Sequence, residues 1–437
     1  MSASCNLLDP KLLSPKFHEL YAKAKDFIEN DCIPAEALYE AQMGKGEDRW
    51  KVIPPILEEL KTKARSLGLW NLFLGHEYSS YGGGLSNLEY SLIAELTGTC
   101  AISSEAMNCS APDTGNMEVF AKYGNEEQKE QWLKPLLDGK IRSAFVMTEP
   151  AVASSDATNI ETSIRREGNE YVINGRKWFA SSTNNPNCKV LLVMGKTDKD
   201  NANIHRQQSL VIVPRDTPGI EMIRPLSVVG YDHAPHGHWE VVFNNVRIPV
   251  KNIVLGEGRG FEIIQGRLGP GRIHHCMRCI GMATYALDTM IARVTDPSRR
   301  TFGKVLAEHG SIVENIAKSR IEIEQARFLV LSAAKKIDEV TAKNAKREIA
   351  IAKVAVPNML QTVADRAIQA HGAAGVSQVT KLPHIFVNAR YLRIADGPDE
   401  VHLQQLGKAE LKRSSEIVEL QKRQQARREE ILSKAKL

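Results

Sequence analysis

Long apolar runs are missing from this sequence. No stretch approaches the roughly 18 residues that a membrane-crossing helix needs, so no membrane span is expected. Cysteine is sparse as well: seven residues, scattered and odd in number, exclude a disulfide framework and fit free thiols in a reducing compartment. Charge of one sign hardly accumulates. Lys and Arg number 57 against 52 Asp and Glu, a net charge of +5. That balance permits an anionic ligand such as a phosphorylated cofactor without demanding one, and with no basic stripe interleaved with aromatics it argues against a nucleic-acid partner. Internal repeats and low-complexity blocks are absent, and no signal-peptide core follows Met1-Ser2-Ala3-Ser4-Cys5. What remains is an ordinary globular composition, 43% hydrophobic and 25% charged, over 437 residues, enough for two or three cooperating domains. The final Ala435-Lys436-Leu437 is a conservative variant of the Ser-Lys-Leu address, which makes the peroxisome the expected compartment, with mitochondrion or cytoplasm otherwise.

Texture changes twice along the chain. Apolar residues at three- and four-residue spacing predict helices over Phe17–Ile28, Pro54–Leu67 and Asn87–Leu96, and helix with a turn from Asp113 to Leu137. Short β-rich runs follow at Ser143–Thr148, Tyr171–Asn174, Lys189–Met194, Ser209–Val213 and Trp239–Phe243, separated by turn residues. Past Gly256-Glu257-Gly258, long helices return over Ile273–Val294, Ser311–Ala342, Lys346–Gln369 and Asp399–Arg413. The expected fold class is α+β. A helical N-terminal domain (1–141) precedes a middle β-sandwich or barrel (142–255), a C-terminal four-helix bundle (256–413) and a charged tail (414–437) that reads as a solvated helix or frayed end.

Three segments carry candidate chemistry. In Phe145-Val146-Met147-Thr148-Glu149-Pro150-Ala151-Val152-Ala153-Ser154-Ser155-Asp156 a strand empties into small and hydroxyl residues. Such a loop lets backbone N–H groups approach a planar ligand or phosphate, though a plain strand-to-turn junction has the same composition. In Asn174-Gly175-Arg176-Lys177-Trp178-Phe179-Ala180-Ser181-Ser182 a hairpin turn is expected to deliver an aromatic pair, as core or as a wall for a flat ring. In Arg393-Ile394-Ala395-Asp396-Gly397-Pro398-Asp399-Glu400 the last two acidic residues suit a helix's first turn, whereas Asp396 faces a Gly-Pro turn. Burial there would raise its proton affinity toward the working pH, as a general base requires. Two weaker patterns are set aside. Cys276-Met277-Arg278-Cys279, after His274-His275, has no second ligand pair and reads as helix core, so no metal site is expected; Gly256 to Gly260 lacks a strand–helix phosphate-loop setting and reads as a hinge.

Taken together, these motifs resemble the acyl-CoA dehydrogenases. Thr148-Glu149-Pro150 with its Ser154-Ser155-Asp156 loop, Trp178, Arg299-Arg300-Thr301-Phe302-Gly303-Lys304, Gln369 to Gly375, and Asp396-Gly397 stand in that family's order over roughly residues 15 to 413. Asp396 to His402 and Pro112 to Glu118 are most similar to the branch of family members 10 and 11. Animal members of that branch carry a kinase-like domain ahead of the dehydrogenase, for which 437 residues leave no room.

The resemblance implies FAD, an acyl-CoA substrate, and α,β-dehydrogenation to the trans-2-enoyl thioester in fatty-acid β-oxidation. Asp396 aligns with the family's catalytic glutamate and takes the α-proton, while the thioester carbonyl is polarised by backbone N–H at the Asp396 turn and by the flavin ribityl chain. Cofactor contacts fall to Phe145, Val146, Met147, Thr148, Ser154 and Ser155, to Trp178, Phe179 and Ala180, and to Pro398, Asp399 and Glu400. Arg299 and Phe302 reach a neighbouring subunit's FAD, and Gln369 and Ala373 hold that same end, so a homodimer or homotetramer is implied. Substrate contacts fall to Ser155, Gly269, Arg272 and Gly397. Departures are visible: an aspartate base one methylene short, Ala180 where relatives carry a hydroxyl with Ser181 beside it, Pro398 without a hydroxyl, and Gly269 where an acidic residue is common. The electron acceptor is electron-transfer flavoprotein, or oxygen if the chain is an oxidase of the same fold; the non-enzymatic alternative is a regulator that binds acyl-CoA or FAD without turnover.

Overall fold

The computed structural model describes residues 10–435, apart from the side-chain surroundings of 268–270. Helix α1 (Pro15–Phe27) starts where Ser14 Oγ accepts from Phe17 N–H at 3.1 Å, and it buries Phe17, Leu20, Tyr21, Ala24 and Phe27 along one face. Helices α2 (Ile33–Gln42), α3 (Pro55–Ser66) and α4 (Asn87–Thr97) follow. Glu89 joins two of these starts: it closes a capping box with Ser86 and also accepts from Ser14 N–H at 2.7 Å. Short α5 (Ser103–Ala106) precedes α6 (Asp113–Tyr123), and the predicted helix to residue 137 continues as α7 (Glu126–Gln128) and α8 (Lys134–Leu137).

The middle region is one curled seven-stranded sheet rather than two facing sheets. Its strands are β1 (Arg142–Val146), β2 (Ser163–Glu167), β3 (Glu170–Ser181), β4 (Cys188–Lys196), β5 (Gln208–Pro214), β6 (Ile220–Leu226) and β7 (His238–Pro249). The order is β1-β4-β2-β3-β7-β6, with β5 on β4. Alternation places the site. Ala144 and Val146 of β1, with Leu191 and Val193 of β4, face the sheet's own core, whereas Val190, Leu192 and Met194 pack with the helices. Strand β4 is therefore buried on both faces, which explains its unbroken apolar run.

Two expectations need correction here. Asn174-Gly175 is not a turn: β3 runs through it, and the hairpin turn lies at Gly168-Asn169. Glycine is needed at 175 because a Cβ there would collide with the Thr162 side chain. Strands β2 and β6 also escaped the pattern, because both carry exposed charged residues instead of an apolar run.

The C-terminal helices are α9 (Gly260–Thr295), α10 (Gly310–Val340), α11 (Lys346–His371), the unpredicted α12 (Leu382–Leu392), α13 (Asp399–Leu411) and α14 (Ser414–Lys434). Between α9 and α10 a two-residue ribbon, β8 (Arg300–Thr301) and β9 (Lys304–Val305), forms a small hairpin. Cys276 and Cys279 lie fully buried in α9, as core residues. Helix α14 buries no residue, which resolves the tail as a solvated helix. Ala435 ends it, and Lys436 and Leu437 lie outside the described residues. Among the described residues, no helix is long and apolar enough to cross a membrane.

Candidate active site

Asp396 sits in the turn between α12 and α13, and its backbone is left-handed, with φ +57°. Gly397 follows at φ +101°, and a Cβ there would lie 3.0 Å from His402 Nε2, so a side chain is excluded on two counts. Such a turn persists only if its surroundings hold it. Lys353, 0% exposed on α11, donates from Nζ to the carbonyls of Leu392 and, at 3.4 Å, Gly397. Arg272 Nε donates to the carbonyl of Asp396 itself at 2.8 Å. Asp399 Oδ2 accepts from Arg393 Nε at 2.8 Å and Asn358 Nδ2 at 3.1 Å. Asp396 is thus positioned by cations that grip the chain at and around it.

The same groups set its acidity. Burial pushes the Asp396 carboxyl up, but His275, Arg267, Arg272 and Lys353 around it prevail and hold it below the usual carboxylate value. This reverses the expectation that burial would raise its proton affinity. His275 Nε2 lies 3.6 Å from Asp396 Oδ2, and burial pulls that imidazole down to about 4. Arg267 spans the gap to the sheet: its guanidinium lies 4.0 Å over the Phe145 ring, and Nε donates to Asn116 Oδ1 at 3.2 Å.

Across from this turn, β1 and β3 build a wall. Trp178 N–H donates to Thr148 O at 3.0 Å, and Thr148 Oγ1 returns a bond to Trp178 O at 2.7 Å. The strand shifts register between Lys177 and Ala180, and Phe179, at φ +47°, turns its ring outward, 44% exposed. Ala180 then points into the sheet core, 1% exposed, as does Val146, so only the backbone of either can face a ligand. Phe145, Met147 and Thr148 stay half-buried on the open side, and Ser155 is exposed. Ser154 is spent within its loop, bonding both N–H and carbonyl of Glu149. Lys177, fully buried, fastens that loop by donating to Glu149 Oε1 and the carbonyls of Met147 and Met194.

At one end of the bundle, the hairpin of β8 and β9 presents Phe302, 95% exposed, at φ +50°. Arg299 pairs there with Asp296 at 3.1 Å. Gln369 and Ala373 are exposed at the end of α11 and beyond it. Arg293 of α9 donates from Nη2 to the His371 carbonyl at 3.3 Å, and the charge of Arg299 also acts on His371. Of the remaining expected residues, Arg272 spends Nε on the Asp396 carbonyl, Asp399 is committed to its clamp, Glu400 is exposed and Pro398 half-buried. The surroundings of Gly269 lie outside the described residues, although α9 runs through it.

These features fit FAD on their own terms. An outward aromatic beside hydroxyls suits a flat ring, and exposed small residues beside an arginine suit a dinucleotide's pyrophosphate end. Three family models cover nearly the whole chain in succession: "Acyl-CoA dehydrogenase, N-terminal domain" over 14–140, "middle domain" over 144–246 and "C-terminal domain" over 258–411.

The chain belongs to the acyl-CoA dehydrogenase family.

Among its relatives is acyl-CoA dehydrogenase family member 11 of Gallus gallus, 55% identical over 91% of this chain and 51% of its own length. The chain spans about half the length of the first curated relatives it matches. The FadE2 protein of Mycobacterium tuberculosis, named a probable acyl-CoA dehydrogenase, is 52% identical over 92% of this chain and 97% of its own. Butyryl-CoA dehydrogenase of Megasphaera elsdenii superposes with a TM-score of 0.75 at 26% identity, covering 91% of this chain and 99% of its own.

Sequence reasoning passed over several residues of this acyl-CoA dehydrogenase family site. Lys353 stands alone in the apolar run Ile349 to Val356, a signal that a buried cation has a backbone to hold. His233, His236 and His238 crowd into six residues and were left unread. Arg267 carried no distinguishing pattern, and His275 was read only with the Cys276–Cys279 stretch as helix core.

Proposed function

We propose that this member of the family uses FAD to desaturate an acyl-CoA thioester between its α and β carbons. The observation that carries the reading is an ionised carboxylate, Asp396, fixed in a left-handed turn by Lys353 and Arg272 on the helical side of a wall made by Phe145, Thr148 and Phe179. When bound, FAD supplies the hydride acceptor that no side chain can provide. The chain's own work is to place and ionise the base. A low proton affinity keeps Asp396 deprotonated across the neutral range, ready to accept the α-proton once the thioester has been acidified by hydrogen bonds to its carbonyl. Thr148, Ser155 and Phe179 would hold the ring, and Arg299, Phe302, Gln369 and Ala373 the dinucleotide end of a neighbouring copy's cofactor, in a homodimer or homotetramer.

Anaerobic addition of a panel of acyl-CoAs to the purified yellow protein tests this. Bleaching of the flavin by at least one chain length is expected, and binding without bleaching would favour a non-catalytic regulator. Readmitting air separates acceptors: slow reoxidation supports electron-transfer flavoprotein, rapid oxygen uptake an oxidase. A role in β-oxidation inside the peroxisome follows only if the C-terminal tripeptide directs a reporter there.

A further inference from the structure

Beside the outward ring of Phe179 runs a hydrogen-bonded file that the reading above does not use. Ser181 Oγ lies 2.8 Å from His238 Nδ1, and His238 Nε2 lies 3.1 Å from His233 Nδ1. The file ends at His233 Nε2, a buried atom with no hydrogen-bond partner among the described residues. His238 faces Ser181 across the β3–β7 ladder, and its ring stands 6.0 Å from that of Phe179. Burial lowers both His233 and His238 to about 4, so each is neutral near pH 7 and carries a single N–H.

Only two directions satisfy such a file. In the first, the Ser181 hydroxyl donates to His238 Nδ1, His238 Nε2–H donates to His233 Nδ1, and the last proton stands on His233 Nε2 with nothing to accept it. In the second, His233 Nδ1–H donates to His238 Nε2, His238 Nδ1–H donates to Ser181 Oγ, and His233 Nε2 is a bare lone pair. An orphaned buried N–H is rarer in folded proteins than an orphaned buried acceptor, so the second direction is favoured. The neighbours do not compete. His236 Nε2 is taken by Glu105 at 2.7 Å and its Nδ1 by Asn185 at 3.0 Å, while His384 Nδ1 is met by Asn388 at 3.2 Å. Asp232, the carboxylate nearest in sequence to His233, is held by both guanidinium nitrogens of Arg49.

We propose that His233 and His238 form a tautomer relay that leaves the Ser181 hydroxyl proton unspent and presents it, beside the outward ring of Phe179, as a donor to the bound cofactor. The two histidines are positioning residues; Ser181 makes the contact. This assigns to Ser181 the donor role that Ala180, turned into the core, cannot take. The inference rests on the flavin reading of the site.

Histidine-selective ¹⁵N labelling of the holoprotein reads the tautomers directly. The two-bond ¹H–¹⁵N pattern is expected to show Nδ1-protonated His233 and His238, and an Nε2-protonated His238 overturns the relay. His238→Phe should slow flavin reduction roughly tenfold, the worth of about one neutral hydrogen bond, and shift the flavin absorption bands. His238→Asn, whose amide N–H takes the place of Nδ1–H, should restore both. On a Ser181→Ala background, His238→Phe should add nothing; an additive loss would mean that His238 acts by packing alone and would refute the proposal. If no acyl-CoA bleaches the wild-type protein, the functional reading fails, while tautomers and flavin bands still judge the relay.

Discussion

Two left-handed residues, Asp396 and Phe302, sit in tight turns of the same helical region, yet their surroundings differ in kind. The Asp396 turn is gripped through its carbonyls by buried Lys353 and by Arg272, with the Arg393–Asp399–Asn358 clamp closing its far side. The Phe302 hairpin is tied by groups at the surface, Arg300 to the Gly303 carbonyl, Glu308 to the Val305 N–H and half-buried Asp296 to Ser298 and Arg299, and its aromatic ring meets solvent. Strain in the first turn is opposed within one chain. The second leaves an aromatic ring uncovered, which under the proposed function would meet a neighbouring copy's cofactor. Pre-organisation for chemistry and readiness for contact are thus separated along a single stretch of helices.

Breaking the first turn should therefore cost reactivity, and breaking the second should cost cofactor retention. The largest effect is expected from Asp396→Asn, which should leave FAD bound but slow flavin reduction by about 10³-fold, the usual worth of a positioned base; stopped-flow absorbance checks it, and a normal rate would remove the base assignment. Next is Lys353→Met. It strands two carbonyls in the interior and should lower stability by about 2–3 kcal/mol in chemical denaturation. It should also raise the pH of the acid limb of flavin reduction, because one of the charges that keep Asp396 acidic is gone. In the intact enzyme that limb should lie below the ordinary aspartate value of about 3.9. Arg299→Ala should weaken FAD retention by roughly tenfold, as one charged hydrogen bond would, with the acid limb unmoved; unchanged flavin content after gel filtration would blur the contrast. The smallest effect concerns Glu118, whose carboxyl burial raises to about 8. An acid with a raised folded-state value stabilises the fold less as pH climbs from its unfolded value toward 8. Glu118→Gln should accordingly flatten the fall in melting temperature across that range.

How much of this was legible in advance follows from what each residue must do. Helices with a one-sided apolar stripe, such as α1 and α10, declare themselves by spacing. So does β4, whose two buried faces make an unbroken apolar run. Strands β2 and β6 were hidden because their side chains are largely exposed, and α12 because Pro383 and the Gly-rich approach imitate a loop. Asp396 could be picked out as a carboxylate before Gly-Pro, but its acidity could not, since the cations that determine it come from α9 and α11, at least 43 positions away in sequence. Ser181 and Ala180 differ by one step along a strand, and only the register shift before Ala180 decides which faces out.

The Lys177–Glu149 pair carries a consequence for how this scaffold can change. Glu149 also receives N–H bonds from Glu161 and Thr162, so both feet of the segment between them are bolted to the interior. Residues added or removed between Ala151 and Thr158 would then shift the rim that carries Ser154 and Ser155 while Thr148 and Trp178 kept their places. Rim length, and with it the placing of Ser155, becomes a variable open to drift or to an engineer, while the strand-borne part of the wall stays put.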